Sequence, residues 1–176
     1  MTRKEVTEIF SVLMLAYPRA EMFKGGIQKL GPTISLWATC LDDVDFWTGQ
    51  QAVIRVCKEC VFPPSIAEFR TAAQDVTKEL EQGADAVFGH IRSYTSLYGS
   101  TQEMYEKLPA DSKTKAVIDA MGGPQNLFEE HEFNGQTTQI WRIETIRKIY
   151  KALARQSNQL TSKDHALLSE KGKTDG

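Results

Sequence analysis

The sequence predicts an all-α protein, and three observations carry that expectation. Apolar residues recur at three- and four-residue steps through most of the chain. Two capping-box patterns, Thr2-x-x-Glu5 and Ser65-x-x-Glu68, stand immediately before such runs. Nowhere is there a sustained alternation of apolar and polar residues of the kind a half-buried strand requires.

The first helix follows Thr2 and carries Val6, Ile9, Phe10, Leu13 and Tyr17 on one face until Pro18 stops it. Gly25, Gly26 and Gly31-Pro32 punctuate a connecting region, after which Thr33 is expected to cap a helix with Ile34, Trp37 and Leu41 inward. Asp42, Asp43 and Asp45 favour the start of another, because carboxylates complement the positive end of the helix dipole. Its inward stripe is Phe46, Val53, Val56, Cys57 and Cys60. Pro63 must end that segment, since it has no N–H and clashes with the preceding turn, while Pro64 and Ser65 can open the next. That fourth helix places Ile66, Phe69, Ala73, Val76 and Leu80 along a narrow seam, with Gly83 as its expected break.

A second helical set is expected beyond Gly83. Ala84, Val87, Phe88, Ile91, Thr95 and Tyr98 form one stripe ending at Gly99. Asp111 is the expected cap of a segment with Ala116, Val117, Ala120 and Met121 inward, closed by Gly122-Gly123-Pro124. Residues 129–135 read as a loop, and the last helix as Thr138 to Gln156, with Ile140, Ile143, Ile146, Ile149, Tyr150 and Leu153 apolar. Beyond Ser157 the composition predicts a flexible tail in which only Leu167 and Leu168 could anchor, as a short helix formed on a partner. The expected organisation is therefore an N-terminal helical bundle over 1–82, a C-terminal helical module over 83–156 and a tail over 157–176.

Composition narrows the function classes. The 176 residues are 41% hydrophobic and 25% charged, with a formal net charge of −2, so no global basic field favours sequence-independent nucleic-acid binding. No apolar run approaches the roughly 20 residues that span a bilayer. No secretory h-region is expected either, so the protein is expected in the cytoplasm, that of a bacterial host if a phage encodes it, and without a membrane. Three cysteines without an export signal do not suggest a disulfide framework.

Catalytic templates are missing from the sequence. There is no GxxxxGK[ST] phosphate loop, HExxH zinc helix or GxSxG nucleophile elbow, so neither an enzyme nor a cofactor or metal is expected. Cys57-Lys58-Glu59-Cys60 has the CxxC spacing, but with no second pair and only Cys40 elsewhere it reads as two small buried hydrophobes. Glu129-Glu130-His131-Glu132 reads as an acidic solvated segment, because adjacent residues do not converge on one point without a scaffold.

Candidate binding residues lie mostly in the C-terminal half. Arg147, Lys151 and Arg155 are four apart and share a face with Lys148 beside it. A solvated basic face is the plainer reading, and a docking surface for an acidic protein patch or for DNA phosphates the sharper one. Trp37 reads as core. Trp47 and Trp141 each sit beside a better stripe residue, Phe46 and Ile140, and an exposed ring there would be a partner anchor.

Tyr17-Pro18, Trp37-x-x-x-Leu41-x-Asp43 and the corner Phe62-Pro63-Pro64-Ser65-Ile66-Ala67-Glu68-Phe69-Arg70 together resemble the phage replicative-helicase loader and inhibitor family, over roughly residues 4 to 75. The resemblance implies a small helical protein without ATPase activity that binds a hexameric DnaB-type helicase of phage or host until an origin-bound initiator takes over. It implies scaffold roles for Tyr17, Trp37, Leu41, Phe62, Pro63, Pro64 and Ile66. It also makes the C-terminal half, with Arg147, Lys148, Lys151, Arg155, Trp141, Leu167 and Leu168, the first candidate for the helicase and the N-terminal bundle for the initiator. The alternative is a DNA-binding replication or transcription regulator using the basic helix.

Overall fold

A computed structural model describes the backbone of residues 1–133 and 135–171 and the side chains of residues 1–132 and 135–157. It resolves into two compact units, Met1–Glu79 and Leu80–Gly176. The protein is predominantly α-helical: the described residues hold seven α-helices, joined by short 3-10 turns and a single two-stranded sheet.

In the first unit, α1 (Arg3–Ala16) begins on a complete capping box. The Thr2 hydroxyl accepts from the Glu5 N–H, and the Glu5 carboxylate accepts from the Thr2 N–H at 2.6 Å. These two bonds satisfy donors that would otherwise be orphaned at a helix start. Two 3-10 turns lead to α2 (Gly31–Cys40), whose first turn holds Pro32. Thr33 lies inside this helix and does not cap it. Pro32 already presents no N–H in that first turn, which reduces the need for a side-chain acceptor. Asp45 caps α3 (Phe46–Glu59), accepting from the Thr48 N–H at 3.2 Å. The Ser65–Glu68 capping box opens α4 (Ile66–Tyr98).

The core of this unit is built on an aromatic chain. Trp37 meets Phe10 and Phe69 edge to face, with ring centroids 5.0 and 5.4 Å apart, and Phe10 meets Phe23 at 6.4 Å. Val6, Ile9, Leu13, Leu41, Val53 and Val56 fill the space around the rings. Arg70 fastens α4 to the turn after α2 with a two-pronged bond to Asp43, at 2.8 and 2.7 Å, and a further bond to the Cys40 carbonyl.

Three carboxylates of this unit titrate below the usual range. The Thr2 backbone N–H holds Glu5 down, the Ser65 N–H does the same for Glu68, and the Arg70 guanidinium does it for Asp43. A carboxyl depressed in the fold stabilises it above its unfolded value of about 4, and that stabilisation disappears as pH falls through the depressed value. Melting temperatures measured from about pH 6 to about pH 2 should therefore fall below about pH 4, and Asp43→Asn should reduce that fall. An acid limb identical in Asp43→Asn would remove Asp43 from this account.

The second unit corrects several expectations. α4 runs unbroken through Gly83, because one glycine costs a helix only about 1 kcal/mol and Ala84, Val87 and Ile91 continue its buried stripe. Gly99, with φ +78°, ends it, donating its N–H to the Thr95 carbonyl. A short helix absent from the sequence-based expectation, α5 (Thr101–Lys107), follows on a Ser100 cap. α6 (Lys113–Ala120) is capped by Ser112 rather than Asp111. It buries Thr114, Val117 and Ile118 while Ala116 and Ala120 face solvent.

The segment expected as loop and helix start is instead a hairpin, β1 (Phe128–Phe133) paired antiparallel with β2 (Gln136–Trp141). Ile140 therefore sits on a strand, 44% exposed, and α7 (Ile143–Lys171) starts five residues later than Thr138. Val87, Ile91, Met104, Leu108, Val117, Ile118, Leu127 and Ile146 make the core. α7 is assigned to Lys171. The side chains after Ser157, Leu167 and Leu168 among them, and residues 172–176 lie outside the described residues.

Candidate partner-binding surfaces

Each residue of the proline corner has a distinct environment. The Tyr17 hydroxyl shares its proton between the carbonyls of Val56 and Cys60, at 3.1 and 3.0 Å, which ties the end of α1 to the end of α3. Burial pushes the Tyr17 phenol up from its ordinary value. Pro64 is buried, Pro63 and Ile66 are half-buried, and Trp37 and Leu41 are buried in the core. Phe62 departs from a scaffold role. It is 77% exposed and its neighbour Val61 84%, because the chain bends at these two residues after Cys60, turning Pro64 inward and leaving both side chains outside.

A hollow of about 650 Å³ opens beside these two residues, walled by Tyr17, Pro18, Arg19, Met22, Phe62 and Pro63. Its floor is mostly carbon. Large apolar side chains exposed together on a rigid corner are the usual mark of an interaction surface.

The CxxC pair forms no ligand set. Cys57 and Cys60 are half-buried free thiols, and burial pushes the Cys57 thiol up, away from the reactive thiolate. Among the described residues no group of three or more His, Cys, Asp or Glu is placed to hold a metal. Glu129 to Glu132 lie exposed on β1, where successive side chains point to opposite faces of the ribbon.

The basic face of α7 is largely occupied from within its own unit. Arg147 donates from Nε to Asp85 at 3.0 Å and from a terminal nitrogen to Glu144 at 2.8 Å, which raises its pKa. The Lys151 ammonium lies 3.6 Å from the Glu81 carboxylate. Arg155 is half-buried, and Lys148 is exposed. Trp141 packs at a tilt against Phe128, with centroids 4.2 Å apart, and meets Phe88 edge to face at 5.8 Å, so it is part of the packing around the hairpin. Trp47 is half-buried. Spacing along α7 shows the cations, but their carboxylate partners on α4 lie 62 and 70 residues away in sequence and have no local signal.

Residues 1–70 match the family model of the N-terminal domain of the phage gene 39 protein, a helicase loader and inhibitor family. The matched segment takes in α1, α2, α3, the proline corner and the first turn of α4, together with the hollow beside Phe62. No curated protein and no solved structure matches the chain. No described helix is long and apolar enough to cross a membrane.

Proposed function

We propose that the protein is a non-enzymatic adaptor of DNA replication that binds a hexameric DnaB-type replicative helicase and acts as its loader, its inhibitor or both. The observation that supports this reading is the match of residues 1–70 to the N-terminal domain of the gene 39 protein, from a family whose role is regulatory rather than catalytic. An origin-binding initiator is the second partner the reading calls for, and the cytoplasm of a bacterial host is the compartment. The units remain those proposed from sequence, an N-terminal bundle and a C-terminal helical module. Light scattering of the full chain mixed with purified helicase tests the proposal: a species heavier than the free hexamer is expected, and two unmixed species would contradict it.

A DNA-binding regulator working through α7 is the weaker reading. Phosphates would have to displace Asp85, Glu144 and Glu81 from Arg147 and Lys151, which leaves Lys148 as the cation of this face most open to a ligand. A single such cation supplies little of the counterion release that drives non-specific DNA binding.

A further inference from the structure

We propose that the open edge of β2 is a strand-addition site for a second copy of this chain, so that two hairpins join across a two-fold axis into one four-stranded sheet in the order β1-β2-β2-β1. The proposal draws on the second unit alone and stands or falls independently of the adaptor reading.

Both strands have one side without a neighbour, because the sheet has only two. Among the described residues β1 is the one hydrogen-bonding partner of β2: no backbone bond outside the ladder and no side-chain bond reaches Gln136–Trp141. Gln136 to Ile140 are all exposed, while Trp141 is held in its packing against Phe128. Amide and carbonyl groups along such an edge are a ready template for another strand. A two-stranded ribbon is also marginally stable by itself, so added strands stabilise it.

Charge and symmetry select the occupant. β1 carries Glu129, Glu130 and Glu132, of which Glu129 lies 3.4 Å from His131 and 3.8 Å from Arg142. β2 has no charge, proline or glycine, and Thr137, Thr138, Ile140 and Trp141 favour strands. Pairing two copies through β1 would set their carboxylates about 5 Å apart. Pairing through β2 separates the two acidic strands by three strand spacings, about 14 Å, which exceeds the screening length of about 8 Å at physiological ionic strength. The hairpin is thus defended against its own copy on one edge and not on the other. The undefended strand also matches itself. A two-fold axis at Thr138 sets Thr138 opposite Thr138, Thr137 opposite Gln139 and Gln136 opposite Ile140, which pairs all five exposed residues and opposes no charges. Six-residue strands make a small interface, so the association is weak and concentration-dependent. A pair presents every other surface of the chain twice, which raises its avidity for any oligomeric partner.

Sedimentation equilibrium of the full chain tests the proposal. The mass is expected to rise from that of one chain at about 10 μM towards that of two at about 1 mM, as for a weak, small interface. Thr138→Glu and Thr138→Lys each set like charges against one another across the axis. Each should weaken self-association at least about tenfold while keeping the wild-type melting temperature, and the two variants mixed one to one should associate again. In the wild type, amide hydrogen exchange over residues 136–140 should slow as concentration rises, which reads the edge without a substitution. A single-chain mass throughout, association as strong in both variants as in the wild type, no association in the mixture, or exchange at 136–140 that ignores concentration overturns the proposal.

Discussion

Trp37→Ala is expected to destabilise the protein by about 3–5 kcal/mol, the usual cost of truncating a buried large aromatic. The size follows from the position of the ring. Trp37 is 4% exposed and touches both Phe10 and Phe69, so its removal opens a cavity between α1, α2 and α4 and ends two edge-to-face contacts together. A unit of this size loses roughly 4–8 °C of melting temperature per kcal/mol, so a drop of at least about 12 °C should appear in a thermal melt followed by circular dichroism. Trp37→Phe keeps an aromatic ring in the same place and should lose less than half as much. A melt within about 3 °C of the wild type for Trp37→Ala would show that the aromatic chain is not the centre of this core.

The second large effect is expected at Gly83. A methyl placed there would meet the Tyr150 hydroxyl at well under van der Waals distance and the ring carbon Cζ at 2.7 Å. Two terms oppose each other. Replacing a mid-helix glycine gains up to about 1 kcal/mol of helix propensity, whereas overpacking against a rigid ring costs about 1–3 kcal/mol. Gly83→Leu brings a whole side chain into that space, so the overpacking term should win and the melting temperature should fall. Tyr150→Ala vacates the space, so Gly83→Leu made in that background should cost much less, which a double-mutant cycle measures directly. Equal effects of Gly83→Leu in the two backgrounds would mean that Tyr150 is not what holds this position to glycine.

These two sites also show what can be read from the sequence. In the first 80 residues the signals are local and strong: two capping boxes, Pro18 and the Pro63-Pro64 pair mark the boundaries, and the apolar spacing puts Trp37 and Phe69 inside. Gly83 reads as a break because a helix-weakening residue and a position of close packing look the same in one sequence; Tyr150 decides between them from 67 positions away. The hairpin escapes a periodicity reading for a different reason. Its strands are exposed for most of their length, so no buried face imposes alternation, and the available sequence signal is an Asn-Gly pair between two six-residue segments.

The candidate site is less legible than the fold. Helical spacing identifies Arg147 and Lys151 as one face, yet Asp85 and Glu81 reach that face only once the chain has folded. Periodicity says nothing about a residue in a bend between helices, so Phe62 is grouped from sequence with the buried Pro64 although one is exposed and the other buried. An exposed Val-Phe pair directly before two prolines is the pattern that points to a surface.

The most direct measurement of the adaptor role is the mass, by size exclusion with multi-angle light scattering, of the full chain mixed with purified host or phage replicative helicase. A peak heavier than the free helicase hexamer, containing both proteins and formed without ATP hydrolysis by this chain, is the predicted result. Elution of each protein at its own mass at micromolar concentrations, with both helicases, would contradict it.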